Sequence, residues 1–172
     1  MIKRIIVFLL LFVTGSMANA ADGSSYPDWF KISVLDFRDD LSDVKTANKK
    51  FLILFIAQKD CGFCDIHMRK NWSDSQVVAY TRKHFEVLAL DARGSRKIVD
   101  FYGKSVSEKQ YAHSHGLQFT PTLVFVDVAG HEVFRLPGLR SKKQFYAALE
   151  YVADEHYKKY SFRRFLAIQP HL

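Results

Sequence analysis

Seven consecutive apolar residues, Phe51-Leu52-Ile53-Leu54-Phe55-Ile56-Ala57, anchor the pattern of this chain and predict a buried strand. Before them, Leu41, Val44 and Ala47 recur at helical intervals, so an amphipathic helix is expected over Ser33–Lys49. After them, Cys61–Trp72 reads as a helix. Ser73 or Asp74 suits the N-cap of a further helix, Ser75–His84, whose apolar side is Val77, Val78 and Tyr80. Phe85–Leu90 is a second strand, followed by a polar break at Asp91–Ser95. Lys97–Val106 has the pattern of a small hairpin around Tyr102-Gly103, and Ser107–His115 that of a helix stopped by Gly116. The clearest hairpin joins Thr122–Val126 to His131–Leu136 through Asp127-Val128-Ala129-Gly130. Ser141 caps a last long helix from Lys142 to about His156, with Phe145, Leu149 and Val152 as its core stripe. Ser161–Ile168, basic and aromatic, reads as an extra short helix.

A strand–helix–strand unit requires a parallel pair with a crossover, and the final hairpin adds antiparallel strands. The expected fold is therefore α/β, with a mixed sheet of about four strands covered by helices on both faces.

Lys3, Arg4, the apolar Ile5–Val13 and Ala18-Asn19-Ala20 together read as a secretory signal, cleaved after Ala20. The apolar run is too short for a stable anchor. Export to the periplasm is expected, with residues 21–28 as a polar linker. Removing Lys3 and Arg4 lowers the formal charge from +7 to +5. The basic residues are scattered apart from Lys158, Lys159, Arg163 and Arg164, which read as a solvated helix face. Nucleic acid is not an expected partner of an exported chain.

The chain has two cysteines, and they stand as Cys61-Gly62-Phe63-Cys64 at the start of a helix. That spacing can meet the geometry of a disulfide, and the helix N-terminus stabilises the first sulfur as thiolate. A loop so short constrains the unfolded chain little, so the pair is a poor staple and a good reactive group. Zinc would need a second cysteine pair, which is absent from the sequence. A copper carrier would recruit His67, with His113 and His115 as further ligands, but those two stand two apart and point to different helix faces. Covalent haem attachment is excluded, because Asp65 occupies the place that needs His. An adaptor with an idle thiol pair would use Tyr157–Phe165 as its docking surface, although that segment is better suited to covering its own core.

The element order, the Cys-Gly-Phe-Cys and the Thr120-Pro121 before the hairpin resemble the thioredoxin-like fold over roughly Phe51 to Val152. The runs Gln58–Cys64, Leu90-Asp91, Phe119–Phe125 and Arg135-Leu136-Pro137-Gly138 look like the exported SoxW-type proteins associated with bacterial sulfur-oxidation gene clusters. The resemblance implies a helical N-terminal extension over 29–50, a thioredoxin-like domain over 51–155 and a C-terminal extension over 156–172. It makes Cys61 the attacking and Cys64 the resolving thiol, and Pro121 a cis-proline. Thr120 offers backbone groups to an extended client, with Gly62 and Phe63 beside it. It implies a periplasmic thiol–disulfide oxidoreductase without cofactor or metal, expected as a monomer. Its partners are thiol or disulfide clients and a membrane thiol transporter as electron donor.

Gly-Phe between the cysteines and Thr before the proline favour reduction over oxidation or isomerisation. The chain departs from many thioredoxins at Asp60, where they carry Trp, and at Phe55 and Val87, where they keep a buried Asp and a Lys. The usual carboxylate relay to Cys64 is therefore missing. Asp60 is expected to cap the helix and to oppose thiolate formation at Cys61.

Overall fold

The computed structural model describes residues 26–169; the expected signal and residues 21–25 of the expected linker lie outside the described residues. Strand β1 (Phe51–Ala57) is buried at all seven positions. It pairs in parallel with β2 (Phe85–Asp91) and antiparallel with β5 (Thr122–Asp127). With β6 (Glu132–Pro137) beyond β5, the order is β2-β1-β5-β6, the mixed four-stranded sheet expected of a thioredoxin-like fold.

Alternation along β1 feeds two separate cores. Phe51, Ile53, Phe55 and Ala57 pack with α2 (Gly62–Lys70), α3 (Ser75–His84), α5 (Lys142–Ala153) and α6 (Phe162–Ile168). Leu52, Leu54 and Ile56 pack on the other face with α1 (Phe37–Thr46) and α4 (Glu108–Ser114). The small hairpin is β3 (Lys97–Val99) with β4 (Ser105–Ser107). Its turn is tied by Asp100, whose carboxylate accepts from the N–H groups of Tyr102 and Lys104.

Several helix limits differ from the sequence reading, each for a local reason. α1 begins at Phe37 rather than Ser33, because Leu35 adopts a φ of +64° and Asp36 caps the helix. Ser33 instead accepts from the Leu35 N–H and donates to the buried Asp40. Ala47, expected on the apolar stripe, is the exposed C-cap. α2 ends at Lys70, so Trp72 stands beyond its C-cap, Asn71, and turns into the core. Asp74, not Ser73, caps α3 by accepting from Gln76 and Val77. α5 stops at Ala153, because Glu155 enters the left-handed region at φ +57° before a short 3-10 turn, His156–Lys158.

The polar break after β2 is fixed by one buried carboxylate. Glu108 accepts from the Asp91 N–H at 3.0 Å and from Arg96 through Nε at 3.0 Å and Nη2 at 2.6 Å. Gly94 passes so close that a Cβ there would lie 2.2 Å from Glu108 Oε2.

His67 lies one turn beyond Cys64, with no exposed surface, among the rings of Phe55, Trp72 and Phe145. Neither ring nitrogen finds a hydrogen-bond partner among the described residues. Burial disfavours the imidazolium and holds the His67 pKa down at about 4, against 6.5 unperturbed. The unfolded chain therefore takes up a proton at a higher pH than the folded one. The contribution is intact above pH 6.5 and is lost as pH falls toward 4, by about 3 kcal/mol in total. Urea midpoints measured between pH 7.5 and pH 4 are expected to fall more steeply for the native sequence than for His67→Leu. Equal slopes would show that this imidazole is not the group responsible.

Candidate active site

β1 ends at Ala57, and the turn Gln58-Lys59-Asp60 delivers the chain to α2. Asp60 has a φ of +58° and does not cap the helix. Cys61 does so itself: its Sγ accepts from the Cys64 N–H at 3.2 Å. The expected Asp60 cap is thus replaced by the sulfur, and this places one of the unsatisfied N–H groups of the first turn on Cys61. Cys61 and Cys64 are joined as a disulfide, with Cα atoms 5.2 Å apart, inside the range a disulfide needs. Both residues are recessed yet retain surface, Cys61 at 8 % and Cys64 at 5 % exposure.

The loop before β5 closes over the first sulfur. The Thr120–Pro121 bond is cis, and the Thr120 hydroxyl donates to Cys61 Sγ at 3.3 Å. Thr122 Oγ1 donates to the Phe119 carbonyl at 2.7 Å, and Gly138 N–H donates to the Pro121 carbonyl at 2.7 Å. These bonds pin the loop on either side of Thr120, whose own N–H and C=O bond to no described residue. Gly62 and Phe63 stand at the open rim, with Phe63 63 % exposed. Phe119, which the sequence reading gave no role, immediately precedes Thr120 and is 80 % exposed. Its one legible signal was an aromatic residue next to the Thr-Pro pair.

Beneath the disulfide, Phe55 and Val87 are both buried in the core that holds the two cysteines, so no carboxylate relay comes from these positions. The residues suggested for a copper site do not assemble. His67 is enclosed by aromatic rings, and His113 and His115 are exposed on or just after α4. Among the described residues no group of three or more His, Cys, Asp or Glu is placed to hold a metal ion. The aromatic segment proposed for an adaptor covers the chain's own core: Phe165 is buried, and Tyr157 and Phe162 pack against the same cluster. Of the tail cations, Lys158 pairs with Glu155, and Arg164 lies over the Tyr160 ring.

On the Cys64 side the surface opens into a cleft of about 800 Å³. Phe55 and Ala57 lie at its floor, and the turn before α2, α2 itself and the loop after β2 form its walls. This is the position at the carboxyl ends of adjacent parallel strands where open α/β sheets commonly leave a crevice.

No curated protein sequence matches the chain. Solved structures do. A thioredoxin-fold protein from Helicobacter pylori is 23 % identical over 70 % of this chain and 82 % of its own, with a TM-score of 0.60. A putative disulphide-isomerase from Bacteroides thetaiotaomicron is 22 % identical over 74 % of this chain and 95 % of its own, with a TM-score of 0.56. A thioredoxin from Thermus thermophilus is 22 % identical over 68 % and 83 %, with a TM-score of 0.55. At these identities the likeness is one of fold. The model of the thioredoxin-like domain matches residues 37–153, which contain the dithiol, the Thr-Pro loop and all four strands of the main sheet, and the chain belongs to that family.

Proposed function

We propose that this protein is a periplasmic thiol–disulfide oxidoreductase that reduces disulfides in protein clients. The observation that carries the reading is the environment of one sulfur. Cys61 Sγ caps a helix, accepts from the Cys64 N–H and the Thr120 hydroxyl, and sits beside a loop with unpaired backbone groups. Each donor favours the thiolate over the thiol.

In the reduced protein, the Cys61 thiolate attacks a client sulfur, and the electron pair of the client's S–S bond leaves with the other client sulfur. Cys64, as thiolate, then attacks Cys61 Sγ, which expels the reduced client and restores the Cys61–Cys64 disulfide. Phe55 and Val87 cannot take the Cys64 proton, so it passes to water or to another group at the cleft, whose lining includes Asp60, Asp65, Asp91 and Glu108. The N–H and C=O of Thr120 suit an extended client strand, and Phe63 and Phe119 offer apolar contact on either side of it. Gly62 leaves the approach open, with no atom within 4 Å of where a side chain would begin.

Reduction, rather than oxidation or isomerisation, is supported by the Gly-Phe pair and by Thr before Pro121. The signal-like N-terminus supports export, and a membrane thiol transporter would then supply electrons. The local runs quoted above support a SoxW-type assignment, with a sulfur-oxidation protein, an apocytochrome dithiol or general periplasmic thiols as clients. The protein is proposed to act as a monomer.

Cys64→Ala is expected to accumulate client proteins disulfide-linked to Cys61 in extracts of the source cell and to lose insulin reduction. Recovery of the same partners without a disulfide link would instead support the adaptor. At equilibrium with a glutathione buffer, the potential is expected below about −200 mV; a value near −120 mV, typical of a strong periplasmic oxidant, reverses the direction. Thr120→Val in the Cys64→Ala background removes a donor to Cys61. The Cys61 pKa, read from the pH dependence of alkylation, should rise by about one unit, the size of one hydrogen bond of about 1 kcal/mol. No rise would remove the hydroxyl from the account of thiolate stabilisation.

A further inference from the structure

One buried polar side chain near the disulfide has no task in the exchange chemistry. His67 follows Cys64 by three residues on α2, so the two share a face of the helix, where Cβ atoms lie about 5–6 Å apart. Helical side chains lean toward the N-terminus, which carries the imidazole back toward the turn that holds Cys64. The rings around it, Phe55, Trp72 and Phe145, belong to the core cluster that also contains both cysteines.

This placement is unfavourable in the oxidised protein. His67 has no exposed surface, and neither ring nitrogen bonds to a described residue, Cys64 included. A leucine or methionine would fill an aromatic pocket of this kind without leaving two polar atoms desolvated. Burial disfavours the imidazolium, so at neutral pH the ring carries one acceptor nitrogen and one N–H donor. A disulfide sulfur has no hydrogen to offer that acceptor.

Reduction changes what the neighbouring sulfur can do. The Cys61–Cys64 bond breaks as two thiols of a reductant join in a disulfide of their own, and two electrons and two protons pass to the cysteines. Cys64 Sγ is then free to turn about its Cα–Cβ bond. As a thiol it can donate to the acceptor nitrogen of the ring, and as a thiolate it can accept from the ring N–H. The buried imidazole thus gains a partner in either protonation state of Cys64.

We propose that His67 is a positioning residue for the exchange reaction, pairing with Cys64 only in the reduced protein and so stabilising the dithiol over the disulfide. The proposal rests on the exchange chemistry put forward above. Its consequence is a potential less negative than the same site would have with an apolar residue at position 67.

The test sets the full-length protein in equilibrium with glutathione, where two glutathione thiols reduce one protein disulfide. In His67→Leu the equilibrium constant for reduction of the protein should fall about tenfold, the scale of one buried hydrogen bond and equal to a potential about 30 mV more negative. His67→Gln, which keeps an acceptor and a donor, should recover part of the loss. A second readout leaves the pocket intact. The ring 15N shifts of His67 should move when the native protein is reduced, and should stay at their oxidised-state values in Cys64→Ala. Equal potentials for the native protein and His67→Leu, or ring shifts indifferent to reduction, would overturn the proposal. The imidazole would then belong with Asn71 Oδ1 and Trp72 Nε1, neighbouring buried atoms that also lack a described partner. Neither readout involves a client, so a native protein that fails to reduce insulin overturns the client reading separately, while these measurements decide the pairing.

Discussion

The architecture depends on β1 being buried along its whole length and hydrogen-bonded on both sides. A strand in that position cannot satisfy its N–H and C=O groups with water, so it must find a partner along each edge. β2 and β5 supply them, one parallel and one antiparallel. The parallel partner forces a crossover, and the crossover is α2 followed by α3. The antiparallel partner brings the end of the Thr-Pro loop beside the end of β1. Both reactive-site segments are thus delivered to one place by the pairing demands of a single strand.

Two donors surround Cys61, and the positions beneath it that carry an acid and a lysine in many thioredoxins are Phe55 and Val87 here. Helix-terminal N–H and a threonine hydroxyl converge on Cys61, while the region below is aromatic and aliphatic. In a low-dielectric setting two neutral donors can bias ionisation without burying a carboxylate that would itself need a partner. The arrangement divides the labour between the sulfurs. Cys61 Sγ accepts two hydrogen bonds, and Cys64 belongs to the lining of the cleft.

Elements set by local periodicity were the legible part of the sequence. The apolar run of β1, the Asp127–Gly130 turn, the Ser141 cap and the paired cysteines all announce themselves within a few residues. Helix starts were less legible where a side chain competes with the backbone. Ser33 diverts to Asp40, and Leu35 takes a positive φ, so α1 begins later than its apolar spacing suggests. The Cys61 cap was hidden by Asp60, a residue whose type favours capping but whose backbone is left-handed. Least legible were features made by separate segments meeting. Lys59, Arg69 and Arg93 are scattered in sequence and share a cleft only after the crossover is made.

The segment after α5 has a bearing on how the protein is handled. Tyr151, in the second half of α5, donates its hydroxyl to the Tyr160 carbonyl at 2.6 Å, and the same ring lies against Phe162 and Phe165. Phe134 of β6 also meets Phe162. The family match stops at residue 153, short of Tyr160, Phe162 and Phe165. Trimming the gene at that family boundary would strip the cover from Tyr151 and Phe134 and leave a sticky aromatic face. A recombinant product that keeps Tyr151 and Phe134 covered must therefore run through Phe165.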